Sequence, residues 1–276
     1  MARAPWLCLL LSCGVACGAR TEPGDAFVPT GSSGPCDRDA GLTRPCTSVC
    51  GQGVEQCIDG FWRNCSAPKP KPPKLPGVVR DFRDSHPDFE SGIIGDDPGI
   101  VRSELGPDDK PVYAGGTPFT THGKSAFDQW YRDVPGVNAS QLLEIPLTAS
   151  SKRPDLFSFN DQTFFPIDGA LFGNEGRAHN FHFTFEVATA FRYLGGETFS
   201  FTGDDDVWVF LNRRLAIDLG GVHGAQTGSV NLDARAAELG LVLGEVHPLH
   251  FFFAERQTTA STFRVQTTIA ELQICD

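Results

Sequence analysis

The sequence predicts an all-β protein: an antiparallel β-sandwich preceded by a small disulfide-rich module and a proline-rich linker. Strand signals are clear in 179–187, 249–254 and 262–269, where Phe and other apolar residues alternate with polar ones. The chain of 276 residues holds 22 Phe but one Met, with 30 Gly and 20 Pro, which suits many short strands joined by turns. Residues 232–243 have helix-like content, and we expect a short helix there. Many strands and few helices indicate an antiparallel sandwich.

The N-terminus has the features of an export signal. Residues 1–17 hold one Arg followed by an apolar run that is too short to span a bilayer. The peptide ending at Cys17 resembles a bacterial lipobox, in which that cysteine receives lipid, although Gly14 stands where Leu is usual. Cys13 is a second candidate for the lipid anchor, and cleavage after Ala19 without lipid is the alternative. We therefore predict an exported bacterial protein that is an outer-membrane or cell-surface lipoprotein, or is extracellular.

A cysteine-rich module follows a flexible tether. Residues 18–35 are rich in Gly, Ser, Pro and Thr, and residues 36–66 hold too few apolar side chains to fold without crosslinks. Export favours disulfides over zinc, and the cysteine spacings fit zinc ribbons poorly. The candidate disulfide cysteines, whose pairing the sequence does not decide, are Cys36, Cys46, Cys50, Cys57, Cys65 and Cys275. If all of them pair, Cys275 reaches back to the module, most simply to Cys36.

The large domain begins after a spacer. Residues 67–76 contain five Pro and three Lys, which predicts a stiff polyproline linker before the domain of residues 77–276. The region 78–138 is rich in loops. Within it, 128–133 mixes aromatic and charged residues and forms either a surface platform for sugar rings or a half-buried strap over the sandwich. At the end of a later strand, the dipeptide 255–256 is predicted to be an ion pair.

Three acidic residues stand directly before the most apolar strand. Asp204, Asp205 and Asp206 follow a glycine, and the next residues, 207–211, are apolar on both faces, which predicts a central strand. Adjacent carboxylates repel one another and are not buried without a counter-charge. Ca²⁺ prefers oxygen ligands, so we predict a calcium site at these three aspartates. The alternative is a solvated acidic turn.

Blocks around this cluster resemble the fibro-slime domain, a branch of the protective-antigen-fourteen (PA-fourteen) β-sandwich superfamily. The resemblance covers nearly all of 77–272, in the blocks 78–90, 127–138, 164–187, 201–233 and 250–269. It implies the fold of the yeast flocculin lectins, in which two consecutive aspartates joined by a cis peptide hold a Ca²⁺ that grips sugar hydroxyls. The matching residues are Asp204 and Asp205, and Asn212 follows at the family's spacing.

Further ligand-binding residues are predicted beyond the aspartates, two of them, Asn212 and His223, at positions that match the family. The candidates are Asn212, Asp218 and His223. His223 stands in a glycine-rich loop, where it either lines the site or is a loop histidine bonded to the backbone. Flocculins supply an asparagine from a later loop as a further calcium ligand. Here the candidates for that ligand are Asn231 or a group near His223, and the sequence does not choose between them.

The formal charge and the motifs of the sequence limit the classes of function that we expect for the protein. The formal charge of −11 disfavours a nucleic-acid partner, and no nucleophile elbow, zinc-protease motif or phosphate-binding loop occurs, so we predict that the protein is not an enzyme. The leading hypothesis is a calcium-dependent, carbohydrate-binding adhesin or matrix (slime) protein that binds a cell-surface or matrix glycan. One alternative is a surface protein whose calcium is purely structural and which binds another protein. The other is a fragment of a polysaccharide-acting enzyme. Membrane contact is expected only through a lipid anchor.

Overall fold

The chain divides into two compact units, one ending at Ala67 and the other starting at Pro68. The computed structural model describes residues 35–37, 41–48, 51–68, 73–116 and 118–269. Among these residues no helix is long and apolar enough to cross a bilayer. The predicted export signal, the lipid anchor at Cys17 and nearly all of the predicted tether lie outside the described residues.

The N-terminal unit is a small antiparallel sheet closed by disulfides. Strands β1 (Thr43–Ser48), β2 (Gly51–Ile58) and β3 (Phe61–Arg63) lie side by side in chain order. The disulfides are Cys36–Cys57 and Cys46–Cys65. They join residues 21 and 19 positions apart, so each closes a short loop of the module.

The expected bond between Cys36 and Cys275 is wrong, because Cys36 is bonded to Cys57. Closing a loop within the module costs less chain entropy than closing one across the whole protein. Of the remaining candidate cysteines, Cys50 and Cys275 lie outside the described residues.

The described part of the C-terminal unit consists mainly of strands. In chain order, its elements are β4 (Lys74–Phe82), β5 (Gly95–Asp96), α1 (Lys124–Phe127), β6 (Asn138–Pro146), β7 (Thr148–Ala149), β8 (Phe157–Asp161), β9 (Phe183–Arg192), β10 (Thr198–Gly203), β11 (Asp206–Leu211), β12 (Arg214–Leu219), β13 (Gly221–Val222), β14 (Gln226–Asn231), α2 (Leu232–Leu239), β15 (Val246–Glu255) and β16 (Phe263–Thr267). Because β4 begins at Lys74 and buries Leu75, the last three residues of the predicted linker belong to the sheet.

Two antiparallel sheets form the sandwich that the sequence predicts. One has the order β12-β11-β15-β9-β4-β6, and the other has the order β14-β10-β16-β8-β7. The short strands β13 and β5 pair separately beside them. Strand β11 lies between β12 and β15 and is buried along its whole length, which confirms the predicted central strand.

Phenylalanine is the commonest residue in the space between the two sheets. Every second residue of β9, β10, β15 and β16 faces this core, as their alternating sequences predict. The same is true of β11, whose other face is also apolar. Phe263 lies at its centre, and its ring centroid is 4.4–6.1 Å from those of Phe159, Phe164, Phe185, Phe201, Phe251 and Phe253. Two predicted bounds shift: the strand predicted from 179 begins at Phe183, and the helix predicted over 232–243 ends at Leu239.

A second core covers the outer face of the six-stranded sheet. The segment between β4 and β6 lies over this face and packs against Trp208, Phe210 and Phe252. Trp130 and Tyr131 of this segment are fully buried, so 128–133 is a strap over the sheet and its aromatic rings form no surface platform. The strand residues that face away from the sandwich interior are therefore buried as well, which explains why β11 is apolar on both sides.

Replacing Phe263 tests the central place of this ring in the core. Phe263→Ala removes a fully buried ring, and we expect the free energy of unfolding to fall by about 3–5 kcal/mol. Leu142→Ala is the control, because Leu142 is 85% exposed and its loss should change stability by about 0.5 kcal/mol or less. Urea denaturation of both variants measures the difference. Equal, small effects would contradict this assignment of the core.

Candidate ligand-binding site

The three aspartates lie where the chain crosses from one sheet to the other. Strand β10 of the five-stranded sheet ends at Gly203, and β11 of the six-stranded sheet begins at Asp206. Asp204 and Asp205 form the connection, and the peptide bond between them is cis. All three side chains are buried, so the alternative of a solvated acidic turn is wrong.

Asp204 and Asp205 hold the neighbouring loops through backbone N–H groups. Asp204 accepts a hydrogen bond from the N–H of Thr262 at 2.5 Å. Asp205 accepts one from the N–H of His223 with Oδ1 and one from the N–H of Arg256 with Oδ2, both at 3.0 Å. The loop after β13 and the loop after β15 are thereby fixed to one carboxylate.

These two loops and the aspartates enclose a cleft of about 220 Å³. Two of the predicted metal ligands and one predicted ligand-binding residue meet in it: Asp204, Asp205 and His223. The rest of the lining comes from Ile94, Val222, Gly224, Gln257, Thr258, Thr259 and Ala260. His223 both lines the cleft and contacts the backbone, since its Nδ1 is 3.0 Å from the carbonyl oxygen of Gly224. The buried Nε2 of this ring has no hydrogen-bond partner among the described residues.

Asp206 does not line the cleft. Its Oδ2 accepts a hydrogen bond from Nε of Arg256 at 2.6 Å, and its Oδ1 accepts one from the N–H of Gly221 at 2.7 Å. Both members of the Asp206–Arg256 pair are fully buried. The prediction of Asp206 as a metal ligand is therefore corrected: its charge is neutralised by a guanidinium. The predicted ion pair of Glu255 with Arg256 is wrong for the same reason.

Arg256 joins the site to the segment that covers the sheet. Its Nη1 donates to the carbonyl oxygen of Thr120 at 2.7 Å, and its guanidinium lies 4.8 Å from the centre of the Trp130 ring. The sequence analysis missed this role. The sequence did carry one signal for it, because Arg256 directly follows the apolar strand β15. If that strand is central, a charged residue at its end is buried and needs a partner.

The site holds more buried acid than base. Asp204, Asp205, Asp206 and Glu255 are all buried, and the buried cation paired with them is Arg256. Neither carboxylate oxygen of Glu255 has a hydrogen-bond partner among the described residues. Carboxylates without counter-charges are costly to bury, so the site either takes up protons or binds a cation.

Burial raises the pKa values of these carboxyl groups. The pKa of Asp205 rises to about 7 through burial, with a further rise from the charge of Asp206 that Arg256 opposes. Burial also raises the pKa of Asp206 to about 6, against the lowering effect of Arg256. For Glu255, burial and the charges of Asp205 and Asp204 raise the pKa well above its ordinary value.

The donor set of the cleft fits a hard cation in part. Asp204 and Asp205 offer carboxylate oxygens, which Ca²⁺ prefers, but Ca²⁺ takes about six to eight oxygen ligands. Among the described residues, no three His, Cys, Asp or Glu side chains converge as a metal-binding group. The remaining ligands of a bound ion would come from backbone or neutral side-chain oxygens of the lining, from water, or from the hydroxyl groups of a bound molecule.

Three other predicted residues have structural roles instead. Asn212 follows the far end of β11, and the rise per residue of a strand places it about 20 Å from the aspartates. Its side-chain amide donates to the carbonyl oxygens of Leu239 and Gly240, both at 3.0 Å. Asp218 accepts hydrogen bonds from Nε1 of Trp208 at 2.9 Å and from the N–H of Gly99 at 2.8 Å.

Asn231 is also excluded as a further calcium ligand. It is the N-cap of α2, where its side chain accepts a hydrogen bond from the N–H of Ala234.

Glu90 lies outside the cleft and holds the loop after β15, which forms one side of it. Glu90 accepts hydrogen bonds from Thr258 through Oγ1 at 3.0 Å and through the backbone N–H at 3.3 Å. The same carboxylate lies 3.0 Å from Nε2 of the buried His182. Glu90 is far from Thr258 in the chain, so the sequence carried no signal for this contact.

The fold and the site together define a class of protein, the β-sandwich with a paired-aspartate cleft, and the family comparison agrees with it. Residues 148–276 match the family model of the PA14 domain. This match supports membership of the PA14 domain family for that part of the chain, and the fold of the C-terminal unit is PA14-like. The more specific resemblance to the fibro-slime domain stays a prediction from the sequence.

Curated relatives include two proteins of Dictyostelium discoideum. The chain is 42% identical to Protein psiR over 201 residues, which are 67% of this chain and 20% of psiR. It is 38% identical to Protein psiD over 207 residues, which are 70% of this chain and 39% of psiD. The chain thus spans less than half the length of either relative. Because these relatives are eukaryotic, they argue against the expected bacterial source.

Among solved structures, the comparison matches the PA14 sugar-binding domain from RTX adhesin. It is 9% identical to this chain, the alignment covers 70% of this chain and 89% of that one, and the TM-score is 0.28.

Removing the Arg256 side-chain charge tests the buried pair. In Arg256→Met, Asp206 stays buried without its partner, and we expect a loss of about 3–5 kcal/mol in the free energy of unfolding. The matched control is Arg177→Met, because Arg177 pairs with Asp84 in a partly exposed position and should cost about 0–1 kcal/mol. Urea denaturation distinguishes the two. A loss for Arg256→Met no larger than that of the control would contradict the pairing.

Stability should also depend on pH through Asp205 when no divalent ion is present. Its folded pKa of about 7 lies above the ordinary value of 3.8, so the folded state holds more protons and its stability falls as pH rises between these values. Asp205→Asn removes this proton and should weaken the fall. Melting temperatures in EDTA between pH 4 and 7, measured for both proteins, test it. Identical pH profiles would show that Asp205 ionises normally.

Proposed function

We propose that the C-terminal unit is a calcium-dependent carbohydrate-binding domain and that the protein acts as a cell-surface adhesin or matrix protein. The PA14 match of residues 148–276 supports this class of function. The observation that carries the proposal is the cleft in which Asp204 and Asp205 lie side by side with an unbalanced negative charge.

A bound cation would offset the surplus of acidic groups in the site at neutral pH. Arg256 neutralises Asp206, which leaves the carboxyl groups of Asp204, Asp205 and Glu255 without a paired base. A divalent ion placed between Asp204 and Asp205 would offset two of these charges at the mouth of the site. When bound, Ca²⁺ supplies a flexible oxygen shell that neutral hydroxyl groups of a sugar can complete.

The lining residues suit a neutral, hydroxyl-rich ligand. The loop after β15 contributes Gln257, Thr258 and Thr259, whose side chains carry hydrogen-bond donors and acceptors. His223 lies on the opposite loop and adds a ring nitrogen. Because Asp205 and Glu90 hold these loops in place, little ordering is left to occur when a ligand binds.

A second candidate function follows from the same contacts. Asp205 uses both oxygens to hold the backbone of two loops, so a calcium ion here could serve only to fix them. In that case the protein would bind another surface protein rather than a glycan. The two functions differ in one respect, since only the first requires a sugar to contact the ion.

A glycan array with and without EDTA separates the two. Wild-type protein should bind glycans in calcium and lose binding in EDTA, and calcium should raise its melting temperature. Asp204→Asn is the test variant, because its bond to the N–H of Thr262 uses one oxygen that asparagine retains. We expect at least a tenfold loss of glycan affinity, about 1.4 kcal/mol or more.

Asp155→Asn is the matched control, since Asp155 is exposed and pairs with Arg153 on the surface. It should bind as the wild type does. Calcium stabilisation without any glycan binding would favour the structural role. Equal glycan binding in calcium and EDTA would contradict the proposal.

Export and a cell-surface location are part of this proposal. A surface location agrees with the disulfide-bonded N-terminal unit, because disulfides persist in oxidising compartments. A lipid anchor at Cys17 stays a prediction from the sequence.

A further inference from the structure

Two large apolar side chains are exposed beside the acidic cleft. Ile94 is 69% exposed and Phe119 is 52% exposed. Single apolar residues on a surface are ordinary, whereas a larger exposed apolar patch marks a surface that contacts a ligand. Ile94 lines the cleft together with Asp204 and Asp205.

The ring of Phe119 packs against Gly95, the residue that follows Ile94. The ring of Phe119 lies over Gly95, where a Cβ atom would come within 2.9 Å of its Cζ. Gly95 is the residue after Ile94, and it pairs with Val222, which also lines the cleft. The absent side chain at Gly95 therefore lets the Phe119 ring lie against the backbone at the edge of the cleft.

The backbone that carries Phe119 is held in place by the same network as the aspartates. Thr120 donates to Oδ2 of Asp97 from its N–H and from its hydroxyl, both at 2.8 Å. The carbonyl oxygen of Thr120 accepts from Arg256, which is paired with Asp206. The ring is thus presented to solvent by a fixed segment, so ordering it on ligand binding costs little.

We propose that Ile94 and Phe119 form an apolar subsite that contacts the C–H face of a hexopyranose held at the acidic cleft. This inference rests on the proposed carbohydrate function and names the ligand class: a neutral hexose with hydroxyl groups on one edge and an apolar C–H patch on one face. Aromatic and aliphatic side chains bind such a patch because both surfaces leave water together.

The subsite belongs to a part of the chain that the family comparison does not cover. Ile94 and Phe119 lie in the segment between β4 and β6, whereas the PA14 family model matches residues 148–276. The acidic cleft and the apolar subsite therefore come from different segments. Ligand selection can change through the covering segment while the aspartates stay the same.

The test compares Ile94→Ser/Phe119→Ser with a control that is equally apolar. Leu243→Ser is that control, because Leu243 is 67% exposed and lies far from the cleft. It stands before the start of β15, and the rise per residue of a strand places it about 30 Å from the end of β15 that lies beside the aspartates. Each protein is assayed on an array of neutral and sulfated hexose oligosaccharides in calcium. The rise in melting temperature on adding calcium is measured in parallel.

We expect the double variant to lose at least about tenfold in affinity for neutral hexosides and to keep the full calcium-induced rise in melting temperature. The Leu243→Ser control should bind as the wild type does. Wild-type affinity in the double variant would overturn the subsite while leaving the proposed function intact. Absence of glycan binding by the wild type would instead refute the proposed function. An equal loss in Leu243→Ser would show non-specific apolar adsorption and would also overturn the subsite.

Discussion

The buried pair of Asp206 and Arg256 is the interaction on which the site depends. It joins the start of β11 to the end of β15, and through Thr120 and Trp130 it joins both strands to the segment that covers the sheet. A buried ion pair is stable only when further hydrogen bonds satisfy both partners, and here the N–H of Gly221 and the carbonyl of Thr120 do so. With Asp206 neutralised in this way, the carboxyl groups of Asp204 and Asp205 are left at the cleft without a paired cation among the described residues.

The sandwich places these acids at an edge that two sheets share. Strands β10 and β11 belong to different sheets, so the two residues between them must cross the end of the aromatic core. Acidic side chains at that crossing have the core on one side and the two loops on the other, which is why they are buried yet border a cleft. The same crossing lets Asp205 reach the backbone of both loops. The stability of the fold and the shape of the cleft therefore depend on the same short turn.

Local patterns predicted β9, β11, β15 and β16 but not β4, β6 or β8, and they did not predict contacts between distant segments. The alternation of Phe in β9, β15 and β16 reports which face is buried, and it needs no knowledge of the partner strand. The three aspartates were found because consecutive carboxylates are unusual before an apolar strand. Asn212 was misassigned because the family's spacing was followed, although the predicted strand over 207–211 already separates it from the aspartates. Asp218 was misassigned because sequence spacing does not show that it bonds to Trp208. The roles of Glu90, Arg256 and Phe119 arise from contacts between segments far apart in the chain, which single-sequence reasoning does not reach.

If the cleft binds a divalent cation as proposed, the ion displaces protons from the buried carboxyl groups. Calorimetric titration of Ca²⁺ into the metal-free protein at pH 6, in two buffers with different heats of ionisation, measures both the binding and the proton release. We expect one saturable site per chain, with a buffer-dependent heat that reports proton release, because the pKa of Asp205 is raised to about 7. Absence of saturable binding would refute the proposed calcium site, and so would binding that is unchanged in Asp204→Asn.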